Sequence, residues 1–310
     1  MIKKVIISGA NGFLGNALLK SFVTKRIKVF ALTNDLSKVD KKILRNEYID
    51  WIEINVDFIE DIESKIRDTD IDVFYHFAWE GSSGSLRGDY KIQINNIYNA
   101  CDAAIVAANL GCKKFVFAES IMEYEIKEAI DLKDDVSINT LYSTAKLAAK
   151  YMSKTVCQKE GVDYIGALIS NVYGPGEKSE RLINITIRSL NAKKHCSFSS
   201  GEQLYDFIYI DDAVEILKLI GEKGEKNESY YIGNTKQKKL KEYIIELCDT
   251  IEENETYKNL LGFGELPNPK TILDFNEFDT KKVYDKFGYE PKVSFVEGIK
   301  RTNQNLKGTE

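Results

Sequence analysis

The sequence predicts an α/β protein built on an open, doubly wound parallel sheet. Three observations carry that expectation. Short apolar runs recur through the first half of the chain, helix-length amphipathic stretches separate them, and a glycine-rich turn follows the first run. Strands covered on both faces read as continuous apolar runs, and parallel neighbours need a long, usually helical, crossover between them.

The candidate strands are 4–7, 29–32, 51–54, 73–77, 114–118 and 164–169. Between the first two lies a helical pattern over 13–24, with Leu14, Leu18, Leu19, Phe22 and Val23 recurring at helical spacing. The stretches 93–109 and 142–159 carry small or apolar residues on more than one face. A surface helix needs only one apolar stripe, so a second face calls for a second partner. Deeper burial within the subunit would satisfy it; the preferred expectation is a homodimer interface made by these two helices. After Asn171 the pattern loosens: a helix near 181–191, a strand at 206–210, a helix through 214–220, a strand-like 230–234 and a helix around 239–250. The segment 261–269, with two of the four prolines, reads as a loop. The expected organisation is therefore a nucleotide-binding domain over 1–170, with 206–232 packing back onto it. A smaller mixed α/β substrate lobe would comprise 171–205 and 233–310.

Composition narrows the class. The 310 residues are 43% hydrophobic and 29% charged, ordinary for a soluble globular chain, and can bury a large core. A net charge of −5 argues against a nucleic-acid or anionic-membrane partner. The five scattered cysteines form neither a disulfide framework nor zinc-ligand spacing, and they point to a reducing compartment. No stretch approaches a membrane span, and the N-terminal apolar run is too short for a signal peptide, so a cytoplasmic protein is expected.

Gly9, Gly12 and Gly15 stand as G-x-x-G-x-x-G directly after the first strand and at the start of the first helix. Glycine lets the backbone turn tightly and approach a phosphate, and the helix N-terminus offers free N–H groups to a pyrophosphate. This segment, with Asn11, Phe13 and Leu14, is the expected cradle of a dinucleotide in a Rossmann-like sheet. At the end of the second strand, where an acidic residue usually meets the adenosine ribose, stand Thr33 and Asn34, with Asp35 two positions late. A 2′-phosphate tolerates Thr33 and Asn34 better than a carboxylate, and Lys38 is near in sequence. The sequence therefore favours NADP(H) over NAD(H).

Tyr142 and Lys146 are four apart on a helical stretch, so they share a face, and no other of the 17 tyrosines has lysine at that spacing. A free phenol, with a pKa near ~10, is a poor proton-transfer catalyst at neutral pH, and a nearby ammonium favours its ionised form. Ser120 ends the apolar strand 114–118, where side chains line the crevice of such sheets, and its hydroxyl can donate to a carbonyl oxygen. His76, at a strand end, reads as a core imidazole; His195 sits in a basic, solvated run; no cluster suggests a metal. Glu119 reads either as a group near the nicotinamide or as a strand-end carboxylate facing solvent.

The chain resembles the extended short-chain dehydrogenase/reductases, in particular the NAD(P)-dependent epimerase/dehydratase family that modifies nucleotide sugars. The matching pieces, in order, are SGANGFLG, the aspartate of NVDFIED, HFAWEG, the asparagine of INNIYNA, FVFAES, YSTAK, NVYGPG, GEQLYDFIYIDDAVE, YYIGN and FGYEPKVSFVEGIK. The resemblance implies that Asp57 meets the adenine amino group and that Phe77 and Ala78 pass beside the cofactor ribose. It implies that Ser120 polarises a carbonyl, that Tyr142 exchanges the proton and that Lys146 also holds the nicotinamide ribose. Trp79, Met122, Asn171, Arg181 and Tyr205 would face a nucleotide-sugar substrate. Tyr205 replaces the arginine that often meets the diphosphate in the segment matching LYDFIYI, and Arg181 or Arg188 would have to substitute. Ile121 and Met122 follow Ser120 in place of the Asp-Glu pair of 4,6-dehydratases, and the Cys-plus-His pair of 3,5-epimerase–reductases is also missing. The resemblance thus implies a reductase of a 4-keto nucleotide sugar. A 4-epimerase is the near alternative, and a dinucleotide-binding regulator without turnover is a more distant one.

Overall fold

The computed structural model describes residues 1–126, 138–251, 257–269 and 272–308. The chain divides into two compact units, residues 1–169 with 214–230, and residues 170–213 with 231–310.

The first unit is organised by a parallel sheet. Its strands are β1 (Lys4–Ser8), β2 (Lys28–Thr33), β3 (Ile49–Glu53), β4 (Val73–His76), β5 (Lys114–Ser120) and β6 (Asp163–Ile169), and β7 (Ser229–Ile232) completes it. Their spatial order is β7-β6-β5-β4-β1-β2-β3. The chain thus runs outward from β1 to β3 and returns to β4 on the other side of β1, which puts the topological switch point between β1 and β4. Register is set by apolar pairs, such as Ile6 against Phe30 on one side and against Phe74 on the other.

Successive side chains in a strand face opposite ways, so each strand feeds two cores. On one face Tyr75 packs its ring 5.7 Å from that of Phe22 in α1 (Phe13–Thr24). On the other, Ile6, Phe74, Phe115 and Phe117 cluster with Ala100, Ala103, Ala104 and Ala107 of α2 (Tyr90–Asn109) and with Ala149 and Cys157 of α3 (Ile138–Glu160). The alanines let α2 lie close to the sheet, and α2 and α3 pack against each other. The doubly wound parallel architecture is therefore present. Asp89 caps α2 by accepting the N–H groups of Lys91 and Ile92, which starts the helix three residues earlier than its apolar pattern alone suggests.

The second unit is mixed. Asn171–Tyr173 pairs in parallel with Phe207–Tyr209, and Leu204–Tyr205 pairs antiparallel with Lys238–Lys239. The rings of Tyr173, Phe207, Tyr243 and Phe295 form an aromatic centre with neighbouring centroids 4.8–6.4 Å apart. Part of the segment expected to be loop is a strand: Leu261–Phe263 pairs in parallel with Cys196–Phe198. Phe263 stacks on Phe198 at 5.3 Å, and this distant contact, which local sequence does not report, orders those three residues.

Candidate active site

The glycine turn is built as its spacing implies. Gly9 has a left-handed φ of +67°, and a Cβ there would press on the backbone of Phe77 and Ala78 at 3.0–3.1 Å. A Cβ on Gly15 would collide with the Gly9 carbonyl oxygen. Gly12 caps α1 through backbone geometry alone, and no acidic residue occupies the first turn, so the positive end of the helix is unopposed. The Ala10 N–H donates to the Leu32 carbonyl at 3.1 Å, tying the turn to β2. Gly9, Gly12, Gly15, Phe77, Ala78 and the end of β2 thus converge on the switch point, and Asn11, Phe13 and Leu14 stand at its rim, partly buried. These close approaches, which any Cβ would fill, fit a bound dinucleotide pyrophosphate.

Ser8 fixes the end of β4. Its hydroxyl accepts the N–H groups of Phe77 and Ala78, both at 3.1 Å, and its proton then goes to His76 Nδ1 at 3.0 Å. Burial lowers the His76 pKa to about 3, aided by the charge of Lys146, so the imidazole is neutral and able to accept. His76 is the core imidazole the sequence suggested, and His195 is exposed and pairs with Glu265 at 2.7 Å.

At the end of β2 the Thr33 hydroxyl folds onto the backbone of Asp35, donating to its carbonyl and accepting its N–H, both at 3.2 Å. Asn34 is exposed. The Asp35 carboxylate accepts from the Ser37 N–H and hydroxyl and pairs with Lys38 at 3.1 Å, which holds its pKa below the usual range. Asp57 is exposed, and its carboxylate accepts from the amides of Asn95 at 2.6 Å and Asn99 at 2.9 Å, both from α2, and of Asn55 at 3.4 Å.

Tyr142 and Lys146 are both buried, 7% and 5% exposed, on the face of α3 turned toward Trp79. The Trp79 ring meets Tyr142 edge-on with centroids 6.0 Å apart, and Lys146 Nζ lies 3.6 Å from the indole centroid. The same ammonium donates to the Ala118 carbonyl at 3.0 Å, two residues before Ser120 in β5. Trp79 is fixed from behind: its Nε1–H donates to Gln93, whose amide donates to the carbonyls of Gly81 and Leu86. Ser120 ends β5 and caps the turn Ile121–Tyr124, accepting the Met122 N–H at 3.2 Å while its own N–H donates to Glu123 at 2.8 Å. With an acceptor site of the hydroxyl occupied, its proton is free to point outward as a donor. Met122 is partly buried on that turn.

Sequence reasoning missed what lies beneath Ser120. Glu119 does not face solvent. Its side chain is enclosed and accepts from Tyr164, Ser229 and Lys150 at 2.8–2.9 Å. Lys150 also stands 3.4 Å from Glu123 Oε2, close enough for an ion pair but not aligned as a hydrogen bond. Burial, reinforced by Glu119 and opposed by Lys150, raises the Glu123 pKa to about 7. The available signal was the i, i+4 pair Glu119 and Glu123 flanking a strand end, with Lys150 four residues beyond Lys146 on the same helix. Arg87 was also missed: its guanidinium lies 4.2 Å over the Tyr142 ring.

The remaining candidates stand in the second unit. Asn171 donates to the Asp206 carbonyl at 2.9 Å. Arg181 is exposed, with Nε 3.5 Å from the enclosed Glu177 carboxylate. Arg188, the other candidate replacement for a diphosphate contact, donates to the Glu177 carbonyl at 2.8 Å. Tyr205 stacks on Phe207 at 5.3 Å.

Comparison with known proteins gives the same picture. The chain is 25% identical to CDP-abequose synthase of Salmonella typhimurium, over 97% of this chain and 98% of that one. Its fold matches dTDP-glucose 4,6-dehydratase of Bacillus anthracis in complex with NAD, with a TM-score of 0.79 and 18% identity over 99% of this chain and 97% of the other. It matches UDP-glucose 4-epimerase of Thermotoga maritima with a TM-score of 0.79 and 22% identity, over 99% of both chains. Residues 5–233 match the model of the NAD dependent epimerase/dehydratase family, and the chain belongs to that family.

Proposed function

We propose that this protein is an NAD(P)-dependent oxidoreductase that reduces the 4-keto group of a nucleotide-linked sugar. The observation that carries the choice of reaction is the turn after Ser120. A dehydratase needs an acid beside the sugar to expel water, and here Ile121 is buried, Met122 is apolar, and Glu123 turns inward to Lys150 and the Ser120 N–H. What remains is a hydroxyl donor, a phenol and an ammonium, which suffice for carbonyl redox chemistry. In that reading Ser120 donates to the ketone oxygen, Tyr142 supplies the proton that converts it to the alcohol, and Lys146 favours the ionised phenol between turnovers. When bound, the dinucleotide supplies the hydride; Gly9, Gly12, Gly15, Phe77, Ala78 and Asp57 would hold it.

The finer assignments are proposals of the same kind. NADP(H) is favoured because Thr33 presents no carboxylate at the end of β2. The second unit is assigned as the substrate lobe, with Asn171, Arg181 and Tyr205 as substrate contacts. A homodimer through α2 and α3 is supported by Ile94, Tyr98 and Ile105 on one helix and Leu141, Tyr151 and Met152 on the other, all exposed apolar groups. Among the described residues no helix is long and apolar enough to cross a membrane.

The test is incubation with NADPH or NADH against a panel of 4-keto nucleotide sugars, alongside the parent sugars without added cofactor. Consumption of reduced cofactor supports the reductase. Purified protein that already carries NAD and interconverts 4-epimers would make it an epimerase instead. Tyr142→Phe should bind cofactor normally and lose at least about a hundredfold in rate; a variant as fast as wild type would overturn the assignment.

A further inference from the structure

The loop between β4 and α2 is held rigidly at a point where it touches α3. Gln93, 2% exposed, ties together the carbonyls of Gly81 and Leu86. Gly81 has a φ of +66°, and a Cβ there would strike the Leu86 carbonyl. The turn Ser85–Gly88 that follows places the Arg87 guanidinium 4.2 Å from the centroid of the Tyr142 ring. Arg87 Nε is buried and has no hydrogen-bond partner among the described residues. A guanidinium is held there, then, without its hydrogen bonds accounting for the position.

We propose that Arg87 is a second cation serving Tyr142, favouring its ionised form from the ring face. The proposal rests on the reading of Tyr142 as the proton-exchanging group. A cation over an aromatic face is attracted by the ring's electron density, and that density rises when the phenol loses its proton. The attraction therefore grows on ionisation, adding to the effect of Lys146. Among the described residues, the charged groups near Tyr142 come from three elements. Lys146 lies on its own helix, Arg87 on the turn before α2, and Glu125 follows the turn after Ser120 and accepts from the Ser143 hydroxyl at 2.7 Å. Glu125 is raised by burial, while Ser143 and the charge of Arg87 oppose that rise. Ionised Glu125 works against the phenolate and partly offsets Arg87. Arg87 and Glu125 thus act with opposite sign on the balance. Arg87 acts through Tyr142 and is an electrostatic positioning residue rather than a reacting group.

The experiment is a pH titration of tyrosinate ultraviolet absorbance in the full chain saturated with NAD+, for wild type and the variants Tyr142→Phe, Arg87→Met, Arg87→Lys and Glu125→Gln. Tyr142→Phe should remove the step of lowest pH. Arg87→Met should move that step upward by roughly one unit, a tenfold change in the ionisation constant, with Arg87→Lys recovering most of it. Glu125→Gln should move it downward. A role confined to holding the loop would leave the step in place, and an Arg87→Met curve that superimposes on wild type overturns the proposal. If Arg87→Met fails to fold, Arg87→Gln, which also removes the charge, takes its place, and an unmoved step in that variant overturns the proposal equally. A titration in which no step depends on Tyr142 overturns the reading of Tyr142 itself, so the two failures are distinct.

Discussion

Lys150 Nζ lies 2.9 Å from Glu119 Oε2 in a pair that is almost dry, with the lysine side chain 13% exposed and the glutamate fully enclosed. Burial works to lower the ammonium's pKa, but Glu119 and Glu123 together hold it above its ordinary value. Removing one partner of such a pair strands the other charge in a low-dielectric site, at a cost of about 3–5 kcal/mol. Lys150→Met, which strands the Glu119 carboxylate and leaves Glu123 to take up a proton, should destabilise the chain by about that amount in urea unfolding. The double variant Lys150→Met/Glu119→Gln should recover much of the loss, and two purely additive effects would show that the groups do not act as a pair.

Glu123 should make stability fall as pH rises. Its pKa goes from an ordinary 4.5 to about 7 on folding, so between those values the folded chain binds the proton that the unfolded chain has lost. The stability it contributes is present in full below about pH 4.5 and is lost through about pH 7, amounting to about 3 kcal/mol at most. Asp206, raised by burial to about 6, adds a slope of the same sign, and His76, lowered to about 3, adds the opposite one between about 3 and 6.5. The difference profile between wild type and Glu123→Gln isolates the one group. It should be flat below about pH 4.5, change steadily to about pH 7 and flatten again above. A flat difference throughout would mean that the folded chain leaves Glu123 unperturbed.

What the sequence made legible follows from range. The six strands of the first half and the glycine turn are written in local patterns of two to fifteen residues, and each is present within a residue or two of its expected end. Tyr142 and Lys146 were legible because helical spacing alone puts them on one face. Glu119 was not: the side chains that bury it, Lys150, Tyr164 and Ser229, come from three other elements. The room for it is made by Gly166, where any Cβ would collide with the Glu119 carboxylate. Arg87 was hidden for the same reason, since its contact with Tyr142 crosses 55 residues of chain. The strand Leu261–Phe263 depends on Phe198 in another segment, so its glycine- and proline-rich surroundings read locally as loop.

Gly15→Ala should weaken dinucleotide binding with little effect on the rest of the sheet. The added methyl would collide with the Gly9 carbonyl oxygen, and Gly9 is itself packed so closely that a Cβ built on it would press on the backbone of Phe77 and Ala78. The glycine turn must open, which moves the helix N-terminus away from the phosphate position. Affinity for NADPH and NADH, measured by quenching of tryptophan fluorescence, should fall by at least about tenfold. Far-ultraviolet circular dichroism should stay close to that of wild type. Unchanged affinity would remove the glycine turn from the cofactor site.

The pair Asp35 and Lys38 offers a test of cofactor choice. Thr33 leaves the end of β2 without a carboxylate, yet the lysine that would welcome a 2′-phosphate is engaged 3.1 Å away by Asp35. Asp35 is itself anchored by the Ser37 N–H and hydroxyl, so its negative charge has a fixed place. Asp35→Asn keeps those turn contacts, removes the charge and releases Lys38. For an NADP(H) enzyme the KM for NADPH should then fall by roughly threefold to tenfold while that for NADH stays put, and the gain should shrink as salt is added. If Asp35 is instead the group that receives the adenosine ribose, the same substitution raises the KM for NADH and leaves NADPH no better. The ratio of the two KM values in wild type and Asp35→Asn, at low and high ionic strength, decides between a lysine waiting for a phosphate and an aspartate holding a ribose.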